Sequence, residues 1–219
     1  MNTYAKDING TRYSIKVDDT LYFQSQVLWK AIQDIPVDKL KDGFKIEIGF
    51  SVYILLKSEI GYSVVSPDYE TTPFSEITED LTLAFLIQME QLALLQKYHI
   101  NGETIRFDDE IAVAKDSITK PQICMQRFRD LGGSGWCVNE ISQSEDGKFF
   151  NVNTSEYESI YAYQLFNIRP SLLKILMLPY DYLIVFDGDD IVEILNEKDE
   201  SITTDPGRKR KYQKLTIEG

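Results

Sequence analysis

The chain is short of the residues that most often carry chemistry. Its 219 residues include one histidine, His99, and two cysteines, Cys124 and Cys137. A nucleophilic serine or cysteine needs a base, and His99 is the only imidazole on offer. Twelve residues separate the cysteines, which is no zinc spacing, and two thiols with one imidazole make a poor ligand set. Positive charge is scarce too: 23 Lys and Arg stand against 35 Asp and Glu, a net charge of −12. Residues 207–219 mask part of that imbalance with five basic residues and one acid, so residues 1–206 alone stand at −16. Such a body repels nucleic acid and anionic lipid and favours a cationic partner. No run of about eighteen apolar residues is present, so no membrane-spanning helix is expected. The opening "MNTYAKDING" has no apolar signal-peptide core, and the expectation is a cytoplasmic protein with reduced thiols.

What the sequence does have is material for a core. Apolar residues make up 43% and aromatics 12%, enough to exclude wholesale disorder. Tyr13, Ile15 and Val17 alternate with polar residues as in a strand. Val27, Leu28, Ala31 and Ile32 recur at a helical period that Pro36 ends. Phe44, Ile46, Ile48 and Phe50 alternate strictly, and "GYSVVS" after Gly61 completes a hairpin. Thr78 reads as the cap of a long helix over residues 79–98, with two acids in its first turn and Asn101-Gly102 as its stop. Leu81, Phe85, Leu92 and Leu95 make its stripe. Leu83, Leu86, Ile87, Met89 and Leu94 widen it, which predicts burial on more than one side, against the N-terminal sheet and against a second domain.

The pattern then restarts. "EIAVAKD", "PQICMQRFRD", "SGWCVNE" and "KFFNVN" read as strands, and "YESIYAYQLFNI" has a helical period. Pro170 opens a further helix that Pro179 closes. "YDYLIVF" and "DIVEIL" flank the turn at Asp187, Gly188 and Asp189. The expected fold class is α+β: two α+β blocks, each an antiparallel-rich sheet with packed helices. The expected division is 1–109, 110–195 and a charged tail over 196–219.

Three stretches invite a chemical reading. "DLGGSGWCVNE" lacks the lysine of a phosphate loop, the third glycine of a dinucleotide fingerprint and the spacing of a nucleophile elbow. It reads instead as a turn that glycine permits through positive φ, leading into a strand that buries Trp136. "VFDGDDIV" resembles the metal-binding Gly-Asp-Asp hairpin of viral RNA polymerases. It lacks the further aspartate and the chain length of that machinery, and it does not fit a calcium loop. The basic "GRKRKYQK" reads as a solvated tail. No catalytic, cofactor-binding or metal-binding residues emerge, and no cofactor is expected. Carboxylates in "YETTPFSEITED" and "NEKDE" leave open a carboxylate- or metal-dependent small hydrolase, or an adaptor module.

The second block, through "GSGWCVNE", "DGKFFNVNTSEY" and "SIYAYQLFNIRPSLLKILMLPYDYLIVFD", resembles the immunity protein class 33 domain family. The matching positions are Ser134, Gly135, Trp136, Tyr163, Pro170, Ser171, Leu172, Leu173 and Pro179, over residues 110–192. Gly133 stands where the family usually has an acid, and Arg169 where it often has a polar residue. The resemblance implies a non-enzymatic protein that binds and neutralises a cognate toxin of a bacterial polymorphic toxin system. A basic toxin would suit the acidic charge. Aromatic anchors within a polar rim make the expected partner face Tyr157, Glu158, Tyr161, Asp187, Asp189 and Asp190. The helical reading puts Tyr157 and Tyr161 on one face with Glu158 nearby.

Overall fold

In a computed structural model the chain divides into two compact units, Met1–Ala93 and Leu94–Gly219. The structure describes residues 1–143, 149–151, 156–203 and 212. The polar connection after Gln143 and the basic residues 208–214, Tyr212 apart, lie outside the described residues. Both units are α+β, each with an antiparallel-rich mixed sheet.

The first unit opens with a hairpin of β1 (Asn2–Ile8) and β2 (Thr11–Val17). Asn9 and Gly10 turn it, both at positive φ (52° and 80°), as a type I′ turn requires. Tyr13, Ile15 and Val17 of β2 point inward and are buried. A 3-10 turn then leads to α1 (Ser25–Asp34), which packs across β1 and the strand that follows it. Its buried face is Leu28, Trp29 and Ile32, whereas Val27 is exposed. The segment 43–57, expected to be one strand, is two. β3 (Lys45–Ile48) ends at a turn through Gly49 and Phe50, and β4 (Ser51–Ser58) returns antiparallel beside it. β5 (Gly61–Pro67) completes the hairpin with β4 and runs parallel to β2, while β6 (Ile77–Thr78) adds to β5. The sheet order is β1-β2-β5-β4-β3.

The long helix, α2, spans Thr82–Tyr98, and it starts later than the sequence predicts. Thr78 is committed to β6 and its hydroxyl accepts the Asp80 N–H, so it cannot cap the helix. The first helical N–H groups find other partners: Lys16 carbonyl for Leu81, and the Asp80 carboxylate for Thr82. The acids Glu79 and Asp80 therefore precede the first turn. The helix also stops before Asn101-Gly102. His99 takes the left-handed conformation at φ 53°, with its N–H on Gln96 carbonyl and the Ile100 N–H on Leu95 carbonyl. That bond pattern is a Schellman stop. Leu81, Ala84, Phe85, Ile87 and Leu95 are buried, and Leu83, Leu86, Met89, Leu92 and Leu94 half-buried. Phe85 meets Tyr53 of β4 with ring centroids 5.8 Å apart, so the helix does pack on the N-terminal sheet.

The second unit holds β7 (Glu110–Ala114), β8 (Gln122–Arg127), β9 (Trp136–Gln143), β10 (Phe149–Asn151) and β11 (Tyr157–Tyr161). Short helical turns follow: 3-10 at Ala162–Gln164, one α turn, α3 (Leu165–Ile168), and 3-10 again at Pro170–Ile175. β12 (Leu183–Asp187) and β13 (Asp190–Leu195) close it. The order is β11-β7-β9-β8-β12-β13, with β10 on β9, and among the described residues of this sheet only β7 and β9 run parallel. The stretch from Tyr157 expected to be helical thus begins as an edge strand. Pro170 does sit in the first turn of its helix, but the turn is 3-10. Beyond Leu195 the chain turns back: the Ile202 N–H donates to Ile194 carbonyl, and the Asn196 side chain accepts from the Lys198 and Glu200 amides. No helix among the described residues is long and apolar enough to cross a membrane.

Candidate functional site

The glycine stretch is a structural turn around a buried cation. Ile123, Met125 and Arg127 share one face of β8, by the strand period of two. Arg127 is therefore carried inward, where it is 2% exposed. No carboxylate hydrogen-bonds it among the described residues. Its Nε donates to Ser134 carbonyl (2.9 Å), its Nη1 to Leu178 carbonyl (2.8 Å) and its Nη2 to Thr104 carbonyl (3.2 Å). The guanidinium also lies 4.4 Å from the Tyr180 ring centroid and 5.8 Å from that of Trp136. Burial pulls its pKa down from the ordinary arginine range. A single buried group thus ties together four separate segments of the unit.

Ser134 and Trp136 complete this arrangement. The Ser134 hydroxyl donates to Glu110 carbonyl at 2.6 Å and accepts the Trp136 N–H at 3.1 Å. With its proton on a backbone oxygen, this hydroxyl is a clamp between β7 and β9. Trp136 is fully buried, as the sequence predicts, and its Nε1 donates to Leu176 carbonyl at 2.9 Å. Gly135, at φ 79°, cannot be another residue: a Cβ there would lie 2.4 Å from Phe128 carbonyl oxygen and 2.8 Å from the Tyr180 ring.

The thiols occupy the opposite face of the same sheet. Cys124 pairs with Asn139 across β8 and β9, and Cys137 lies two residues along. Neither forms a disulfide, and both are buried. Burial pushes the Cys124 thiol up to about 12 and raises Cys137 as well. Neither is an activated nucleophile, since activation needs a lowered pKa. The Asn139 amide donates to Cys137 Sγ at 3.2 Å and accepts the Tyr157 hydroxyl at 2.8 Å.

The six residues expected to meet a partner fall into two groups. Tyr157, Glu158 and Tyr161 lie on β11, one edge of the sheet. A spacing of four residues keeps Tyr157 and Tyr161 on one face of a strand as it would on a helix, but Glu158 now points to the other face. Tyr157 is 45% exposed with its hydroxyl anchored, and Tyr161 is 38% exposed and stacks on Tyr163. Asp187, Asp189 and Asp190 sit at the exposed turn between β12 and β13. β12 is four strand spacings from β11, roughly 19 Å. Asp189 is not free: the Ser171 hydroxyl and then Arg169 hold its carboxyl below the usual range.

Two arginines escaped the sequence reading as organising residues. Arg127 carried a signal, because a charge at an inward position of an apolar strand demands acceptors. Arg169, 8% exposed, donates to the Ile118, Lys120 and Gly188 carbonyls and so ties the β12–β13 turn to the β7–β8 connection. Its role depends on contacts between loops far apart in sequence.

No curated protein and no solved structure matches the chain. A family model does. The model described as the Imm33-like domain matches residues 90–197, a span containing the Arg127 cluster, the thiols, the β11 edge and the acidic turn. Residues 90–197 are thus similar to the Imm33-like domain, the family that the sequence motifs resemble.

Proposed function

We propose that this protein is a non-enzymatic immunity protein that binds a cognate toxin in the cytoplasm and neutralises it. The observation that carries the reading is the Imm33-like match over residues 90–197. The serine and the thiols of the glycine stretch are otherwise engaged. The Ser134 hydroxyl clamps two strands, and the thiols are held protonated by burial. The proposed toxin is basic, because a chain with a net charge of −12 steers a cationic partner and complements it on contact.

Two surfaces are proposed to meet it. Along the β11 edge, Tyr157 and Tyr161 offer rigid rings whose burial costs little side-chain entropy. Tyr157 is already oriented by Asn139. At the other edge, Asp187 and Asp190 with the tethered Asp189 offer charge. A standard interface covers about 800 Å² per partner, wide enough to reach across such a sheet. The test is co-expression with the toxin encoded beside the gene, followed by copurification. Survival of the cells and a stable complex are expected; growth arrest with no complex would refute the reading.

A further inference from the structure

The two faces of the second sheet are closed in different ways. On the face of Arg127 and Trp136, the Leu176 and Leu178 carbonyls take hydrogen bonds from both side chains. On the thiol face, Tyr157 reaches from β11 over β7 to Asn139 of β9 and closes that end. Toward the other end Cys124, Ile141, Leu183, Val185 and Leu195 form one buried apolar cluster. The register puts them on a single face: Cys124 stands opposite Val185 and Asn139, and Leu183 opposite Leu195. Tyr212 packs against this cluster and is half-buried there.

Two observations say what kind of segment belongs on this face. The first is the sequence around Tyr212. Arg208, Lys209, Arg210 and Lys211 precede it and Lys214 follows, the most basic stretch of a chain whose net charge is −12. The second is Glu193. It stands opposite Val185 on the same face, is 5% exposed and forms no ion pair among the described residues. A carboxylate taken that far from water is stable beside a cation. Tyr212 and its neighbours in the sequence bring together a ring for the apolar cluster and cations for the carboxylate. Tethering lowers the entropy cost of docking further, and a tyrosine ring has only two side-chain torsions to fix.

We propose that this face is a docking site for a basic segment carrying an aromatic residue, and that the chain's own C-terminal segment occupies it as a strap, with Tyr212 as its anchor and Glu193 as its counter-charge. The stretch that reads as a solvated tail in the sequence is thereby the cover of the thiol face. This inference stands apart from the immunity reading, since no toxin enters it.

Cys124 reports the strap, because it belongs to the cluster that Tyr212 packs on and is fully buried. Cys137 is held by Asn139 beside Tyr157 and serves as the internal comparison. The full chain is treated with N-ethylmaleimide, and alkylation of each cysteine is followed by mass spectrometry. Tyr212→Ala, which leaves the net charge at −12, is expected to react at Cys124 about tenfold faster than the wild type, with Cys137 little changed. Tyr212→Phe should restore the wild-type rate. In the wild type, added salt should speed alkylation of Cys124 by screening the strap, and Glu193→Gln should flatten that response. A synthetic peptide of residues 207–219, added to Tyr212→Ala, is expected to slow Cys124 again, and the same peptide lacking its tyrosine is not. An unchanged Cys124 rate in Tyr212→Ala would overturn the strap. So would a wild-type rate indifferent to salt, or equal acceleration of both cysteines with a lowered melting temperature, the mark of a general loosening.

Discussion

Arg127 sits where a charge should be costly, and its surroundings show why it is tolerated. Its Nε, Nη1 and Nη2 all donate to carbonyl oxygens, and two aromatic rings flank the guanidinium. Lysine has three donors on a single nitrogen and cannot reach the same carbonyls. Arg127→Lys is therefore expected to lower stability by about 3–5 kcal/mol, the scale for breaking a buried charged network, as read by denaturant titration. Trp136→Ala removes a fully buried indole and is expected to cost roughly 3–5 kcal/mol. A thermal melt unchanged from wild type would contradict that. Burial also sets a pH dependence. Cys124 is raised by burial to about 12, so its folded pKa exceeds its unfolded one. Between those two values the unfolded chain binds fewer protons, so stability falls with rising pH. Tyr157, likewise raised to about 12 chiefly by burial, acts in the same direction. Denaturation midpoints should hold steady from pH 7 to about 9 and decline from there to about 12. In Cys124→Ala the decline should be shallower.

At the scale of elements, the helix stop at His99 is a clear case of local conformation outranking residue type. A left-handed C-terminal residue is most often glycine, because a side chain there clashes. His99 is exposed, so His99→Gly loses little packing. A gain of about 0.5–1 kcal/mol is expected, visible as a raised melting temperature. The β1–β2 hairpin illustrates the opposite case. Asn9-Gly10 is the strongest short-range hairpin signal, and it turns β1 into β2. β11 was misread because positions 157 and 161 satisfy a period of two and of 3.6 alike. Its pairing with β7 decides the matter, since that ladder gives the backbone its hydrogen bonds. The helical reading placed Glu158 beside the tyrosines, and the strand turns it away.

For the whole molecule, charge acts at a distance. If the acids steer a basic toxin, reversing exposed ones should slow association more than it speeds dissociation. The acids to reverse are Glu158, Asp187 and Asp190. Asp189 is better left alone, because a lysine there would face Arg169 and lose the Ser171 bond. The triple variant is expected to associate about tenfold more slowly at low salt, with a flatter salt dependence, while melting as wild type does. Association rates at two ionic strengths check this. An unchanged rate would assign the acids to solubility alone and move the binding face elsewhere.

Composition and periodicity were enough for the α+β class, for the inward positions Tyr13, Ile15 and Val17 and for a buried Trp136, while short motifs carried the resemblance that the family match bears out. Those features depend on residues near one another in the chain, where spacing maps directly onto geometry. Other features were settled only by tertiary structure. Thr78 loses its capping role because β5 recruits it. Tyr157 becomes a strand residue because β7 lies beside it. The six expected contact residues divide between two edges because the strand order is β11-β7-β9-β8-β12-β13. Strand order is a choice among pairings of similar local energy. It is made by which long-range arrangement buries Trp136 and brings carbonyl oxygens from separate segments to Arg127, and no local window of sequence contains that information.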